Sequence, residues 1–285
     1  MTPELYLDAR ATLGEGPVWL DGALTWVDIL EKKVHITRDG QDQFLQLDDK
    51  PGCIVPRKSG GYVLAAARSF LTLDAGSGKS TVIASPDPDP GNRFNDGKCD
   101  PRGRLLAGTM DDAEQRDSGS LYSLAPGGTV THLFSGVRIS NGLAWSADGH
   151  SFYHIDTPTR FVTAYDYDLD DGALSNPRKV IHVPEELGWP DGMAIDARGQ
   201  LWIALWGGSA LSVWDPATGS LIRRVPVPAL NVTSCAFGGS NGDELFVTSA
   251  RVRTDEQALQ KFPHAGGVFH FKPGVDGPPP AVFAG

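Results

Sequence analysis

Residues 141–156 read NGLAWSADGHSFYHID. A short apolar run follows the first glycine, Ala147-Asp148-Gly149 interrupts it, and a second run, SFYHI, begins. Apolar, aromatic and β-branched runs bounded by Asn, Asp and Gly are the composition of short strands joined by tight turns. The same layout recurs five more times: GEGPVWLDGALTWVDI from Gly14, PGCIVPRKSGGYVLAA from Pro51, NDGKCDPRGRLLAGTM from Asn95, DGMAIDARGQLWIALW from Asp191 and SCAFGGSNGDELFVTS from Ser234. A third strand follows each pair: KVHIT, FLTLD, SLYSL, VTAYDYD, LSVWD and GVFHF. All but the last unit add a fourth: QFLQL, TVIAS, VTHLF, KVIHV and IRRVPV. Four short strands repeating every roughly 40–50 residues mark propeller blades.

The expected fold is therefore all-β: one six-bladed β-propeller domain with four-stranded blades, spanning residues 1–285. ELYLDA, residues 4–9, is expected to supply the missing strand of the last blade, closing the ring and leaving no open edge. The best helical candidate is TDEQALQKF, residues 254–262, a short helix or ordered loop. No long apolar pattern of helical period exists, which disfavours a parallel βαβ fold.

Composition excludes several function classes. The formal net charge is −10, which repels phosphate backbones, and no basic run with interleaved aromatics occurs, so no nucleic-acid partner is expected. No apolar run reaches the ~18 residues of a membrane span. The first residues, MTPELYLDAR, do not read as a secretory signal. Cys53, Cys99 and Cys235 form no C-x-x-C pair and read as reduced, buried thiols, so a cytoplasmic location is expected. Asn231-Val232-Thr233 is then a chance sequon. Gly76-Ser77-Gly78-Lys79-Ser80 has the end of a phosphate-binding loop but carries Leu73 where that loop needs glycine, so it reads as a hairpin turn. His154 reads as a structural histidine.

The repeat also aligns one polar position. At the start of each unit stand Glu15, Gly52, Asp96, Asn141, Asp191 and Ser234, one per blade. Equivalent positions on the innermost strands converge around the channel. Any single Asp-Gly or Asn-Gly is more often a turn than a ligand. Recurrence at one blade position changes that balance. Clustered carboxylates stay ionised only with compensating positive charge, and their oxygens suit hard divalent cations. RFNDGK, from Arg93, is the most polar entry to a blade, with Arg93 and Asn95 suited to orienting a hydroxylated ligand. Trp206 is a candidate for the pocket mouth.

These segments, with LGEGPVW from Leu13, RFNDGK from Arg93, AGTM from Ala107, GSLYSL from Gly119, ISNGLAWS from Ile139, PDGMAID from Pro190 and TSCAFGG from Thr233, resemble the senescence marker protein/regucalcin/gluconolactonase family of lactonases over nearly the whole chain. The resemblance implies metal ligands at Glu15, Asn141 and Asp191, with Asp191 also the catalytic acid/base. It implies substrate contacts from Arg93 and Asn95, where the repeat alignment had pointed to Asp96. It also implies an acidic substrate contact shortly after GTM. By position this falls on Ala113; Glu114, with Asp112 as the other choice, is the expected replacement. The loop from Asp111 to Ser118 is expected to cover the pocket.

The expected activity is hydrolysis of a small-molecule sugar lactone such as gluconolactone, xylonolactone or arabinonolactone. It would use one divalent cation (Ca, Zn, Mn, Mg or Fe) in a monomer or weak homo-oligomer. The alternatives are a calcium-binding regucalcin-like propeller and a promiscuous organophosphate or ester hydrolase.

Overall fold

The structure, a computed structural model, describes residues 2–285. Its 24 strands form six four-stranded antiparallel sheets, each built from consecutive strands except the last. The first strands of blades one to six are Gly14–Leu20, Pro51–Pro56, Asn92–Cys99, Ser140–Trp145, Trp189–Ile195 and Asn231–Gly238. Each touches the first strand of the next blade, and the sixth touches the first, so these six line the channel. Their burial contrasts with the fourth strands, such as Gln41–Gln46, which alternate toward solvent.

The expected closure is present. Glu4–Leu7 pairs antiparallel with Val268–Phe271 as the outer strand of blade six. Tyr6 packs edge-on against Phe246 with ring centroids 5.1 Å apart. The helix also forms, as Glu256–Lys261, with Asp255 accepting a hydrogen bond from the Ala258 amide as its N-cap. Gly76–Lys79 is the turn between Ser69–Leu73 and Ser80–Ala84, as the sequence predicts.

The core lies between blades. Trp202 and Val213 of blade five meet Val232, Cys235, Phe237 and Phe269 of blade six, and Phe70 of blade two meets Phe94 of blade three. Close approach of neighbouring blades is what the small residue of each repeat provides. A Cβ on Gly192 would lie 2.2 Å from Ser234 Oγ, and one on Gly97 would lie 2.5 Å from Cys53 Sγ.

One feature escapes the repeat reading. The segment after Phe271 crosses the face formed by the turns between first and second strands. It accepts a hydrogen bond from the Ala197 amide, and its Phe283 amide donates to Pro56 O at 2.8 Å and its Ala284 amide to Gly103 O at 3.0 Å. Phe283 is buried among residues of blades two and three.

Candidate active site

Every first strand is irregular at the same place. Its register against the second strand shifts between Glu15 and Val18, Pro51 and Cys53, Phe94 and Gly97, Asn141 and Leu143, Pro190 and Met193, and Val232 and Ser234. Such bulges leave residues unpaired and re-aim their side chains. The six aligned positions fall within or beside these bulges, where the strands enter the channel. Glu15 Oε2 accepts from the Gly16 amide at 2.6 Å, Asp96 Oδ1 from the Gly97 amide at 2.7 Å, and Asp191 from the Gly192 amide.

Glu15, Asn141 and Asp191 line a cavity of about 540 Å³ together with Arg93 and Asn95. In blade three the bulge exposes two consecutive residues differently. Asn95 faces the cavity, whereas Asp96 is buried and does not line it. Glu114 and Asp112 also line it. Glu114 is held by Arg253 of blade six through two bonds of 2.9 and 3.1 Å. Asp112 accepts from Arg93 Nε at 2.8 Å and from Lys50 Nζ at 2.8 and 2.9 Å. The loop after Asp111 is thus tied across the mouth to blades two and six. Arg93 Nη1 donates to Phe94 O at 3.0 Å and to Asn95 Oδ1 at 2.8 Å, and among the described residues Nη2 has no hydrogen-bond partner.

Electrostatics concentrate at Glu15 and Asp191. Both are buried, and their carboxyl groups are in hydrogen-bond contact. Desolvation pushes both well above the usual carboxylate range, and the charge of the nearby Asp96 raises both further; Glu15 also raises Asp191, whereas the contact with Asp191 lowers Glu15. No Lys or Arg forms an ion pair with either one among the described residues. Lys98, whose charge lowers Glu15 and Asp96, donates from Nζ to Met193 O at 2.8 Å. Adjacent buried carboxyls without a cationic partner require a proton or a metal ion between them. Among the described residues no three His, Cys, Asp or Glu side chains are placed to hold a metal ion by themselves. A donor set here therefore needs amide oxygen, which Asn141 supplies. Two carboxylates and an amide oxygen suit a hard divalent cation.

His154 lies behind this floor. Burial pushes it down to about 3 and its Nε2 shares a 2.9 Å hydrogen bond with Ser140 Oγ. It is a neutral structural group. The unfolded chain takes up a proton near pH 6.5 that the folded chain refuses until about pH 3. Stability is therefore lost as pH falls through that window. Urea midpoints at pH 7 and pH 5 should drop less for His154→Gln than for the unmodified protein; equal drops would refute a buried neutral histidine.

Several lining residues were not singled out from the sequence. Leu13, Lys50, Ile139 and Trp189 each stand two residues before an aligned position, and all four line the cavity. The period of a strand, two residues, is the signal that would have found them. Trp189 sits opposite Trp206 across the blade-five strands, with the Arg160 guanidinium 3.7 Å from its ring centroid. Trp206 lines the mouth, as expected. Arg253 and Thr157 follow second strands and carry no such signal. Asn231, the apparent sequon, is buried and bonded to Val252 O at 2.9 Å.

The comparisons with known proteins agree with this architecture. Regucalcin of Gallus gallus is 43% identical over 97% of this chain and 96% of its own length. A calcium-binding regucalcin from Agrobacterium tumefaciens superposes with a TM-score of 0.93 at 30% identity, covering 99% of this chain and 97% of that one. A luciferin-regenerating enzyme does so with a TM-score of 0.90 at 34% identity, covering 96% of each. The SMP-30/gluconolactonase/LRE-like region matches residues 13–251, and with the six blades and these relatives it establishes that the chain belongs to the SMP-30/gluconolactonase family.

Proposed function

We propose that this protein hydrolyses a sugar lactone to the corresponding sugar acid with the help of one divalent cation. The observation that carries the reading is the pair of contacting, buried carboxyls, Glu15 and Asp191, on the floor of a cavity that Arg93 also lines. Family membership supports ester-bond chemistry on a small cyclic substrate.

Glu15, Asn141 and Asp191 would hold the cation. When bound, it supplies Lewis-acid polarisation of the ester carbonyl. Asp191 acts as general base, taking a proton from a water whose oxygen forms the new bond to the carbonyl carbon. The bond from that carbon to the ring oxygen then breaks. Asp191 returns the proton to the departing oxygen, leaving a hydroxy acid. Arg93 directs its uncommitted Nη2 at ring substituents of the substrate. Asn95 contributes only through Oδ1, because its Nδ2 already donates to Ser140 O at 2.8 Å and Asn141 Oδ1 at 3.0 Å. Glu114 and Trp206 border the substrate at the mouth. Fixing the lactone in this way supplies part of the acceleration through orientation.

The test is proton release from a panel of γ- and δ-aldonolactones, before and after chelation. We expect turnover with at least one member. Chelation should reduce it by about 10²-fold or more, and Ca²⁺, Mn²⁺, Zn²⁺ or Mg²⁺ should restore it. Chelator-insensitive turnover would count against the cation, and no turnover of any lactone against the reaction.

A further inference from the structure

The two amides beside the buried carboxyls have an accepting and a donating end, so their orientation decides what the cavity floor offers. A continuous line of hydrogen bonds fixes both. Arg93 Nη1 donates to Asn95 Oδ1 at 2.8 Å, and Asn95 Nδ2 donates to Asn141 Oδ1 at 3.0 Å. Asn141 Nδ2 donates to Thr157 Oγ1 at 2.8 Å, and Thr157 Oγ1 donates to Pro190 O at 2.8 Å. The line has one allowed direction. It starts at a guanidinium, which only donates, and ends at a peptide carbonyl, which only accepts. Reversing Asn141 would set its Nδ2 against the Nδ2 of Asn95, donor against donor. At the other end, Lys50 and Asp112 hold Arg93 in place.

Thr157 is the member with no counterpart in the aligned ring. It opens the turn Thr157–Thr159, and its own amide is tied to Ile139 O at 3.1 Å. Its hydroxyl touches Asn141 of blade four and the carbonyl that directly precedes Asp191 of blade five. It thereby couples two of the three residues that would hold the cation. We propose that Thr157 is a positioning residue whose hydroxyl locks the Asn141 amide with its nitrogen turned away and its Oδ1 left to a cation in the cavity. Oδ1 has two lone pairs, of which Asn95 uses one. This inference rests on the reading of the cavity floor as a cation site.

The experiment titrates Ca²⁺ and Mn²⁺ separately into chelator-treated protein by calorimetry, comparing the unmodified chain with Thr157→Val and Thr157→Ser. Partners that orient a metal ligand typically change metal affinity by about 10–100-fold. The valine variant, near-isosteric but unable to bridge, should lose affinity in that range; the serine variant should bind close to the unmodified protein. The Asn141 side-chain amide protons, followed by NMR without metal, should exchange with water faster in the valine variant only. Melting temperatures check folding, and Thr157→Ala replaces the valine variant should it not fold. Equal affinity of the valine and unmodified proteins would overturn the inference while leaving the cation site intact. Absence of binding by the unmodified protein would overturn the cation site, and the inference with it.

Discussion

Asp191→Ala should abolish lactone hydrolysis, lowering kcat/KM by at least about 10³-fold. Two roles would be lost together, the general base and one of the residues proposed to hold the cation. Asp191→Asn separates these from simple loss of volume. It keeps the size and the ability to accept from the Gly192 amide, yet cannot take a proton from water. Its activity should fall nearly as far. Neither variant should be less stable without metal. Asp191 and Glu15 are buried against each other; desolvation and the charge of Asp96 hold both above their ordinary range, and Glu15 raises Asp191 further. Removing one of two contacting buried carboxyls relieves that cost. The melting temperature of chelated Asp191→Asn is thus expected to equal or exceed that of the chelated parent. Near-normal turnover by either variant would end the assignment of Asp191, and a large loss of stability would show that its role is structural.

Removal of residues 1–10 should lower the melting temperature by at least about 10 °C. The lost strand Glu4–Leu7 provides the outer pairing of blade six, with Glu4 opposite His270 and Leu5 opposite Phe269. It also brings Tyr6 and Leu7 against the cluster of Ala11, Leu24, Trp26, Phe246 and Val268 that joins blade six to blade one. Full burial of such a side chain contributes about 1.5–3 kcal/mol; Tyr6 and Leu7 are partly buried, so each supplies part of that, and the backbone pairing of the strand adds to it. One kcal/mol corresponds to roughly 2–4 °C in a domain of 150–250 residues. The deletion also leaves an open sheet edge on Val268–Phe271, a site for pairing with another chain. Aggregation on heating should accompany the lower transition. An unchanged melting temperature would mean that closure by this strand adds nothing.

Much of the site was legible because a propeller turns sequence period into spatial symmetry. Once the six repeats were aligned, Glu15, Asn141 and Asp191 occupied one position, and a ring of first strands had to bring them together. Blade three was harder. The repeat alignment selected Asp96, the resemblance selected Asn95, and the fold explains the difference. A bulge between Phe94 and Gly97 leaves two residues unpaired, so that Asn95 reaches the cavity while Asp96 turns into the interior. A one-residue shift in a strand exchanges its faces, and no regular periodicity predicts where the extra residue sits. The place of the acidic contact after GTM falls on Ala113, and the two expected replacements, Glu114 and Asp112, both line the cavity. The bidentate partner of Glu114, Arg253, is 139 positions away and could not be paired with it from the sequence.

The sequence by itself determined the repeat, the strand content, the closure by the first strand and the residue types on the channel floor. These follow from local composition and a period that survives without knowledge of contacts. The tertiary structure alone decided which oxygen and which nitrogen each floor residue presents. That depends on hydrogen bonds from Arg93 to Asn95, Asn141, Thr157 and Pro190, which cross three blades. It also decided that the chain end after Phe271 runs over the opposite face to Phe283. Direction in a hydrogen-bonded line is a property of its two ends. Here those ends, Arg93 and Pro190, lie on different blades, and only the closed ring brings them to one wall.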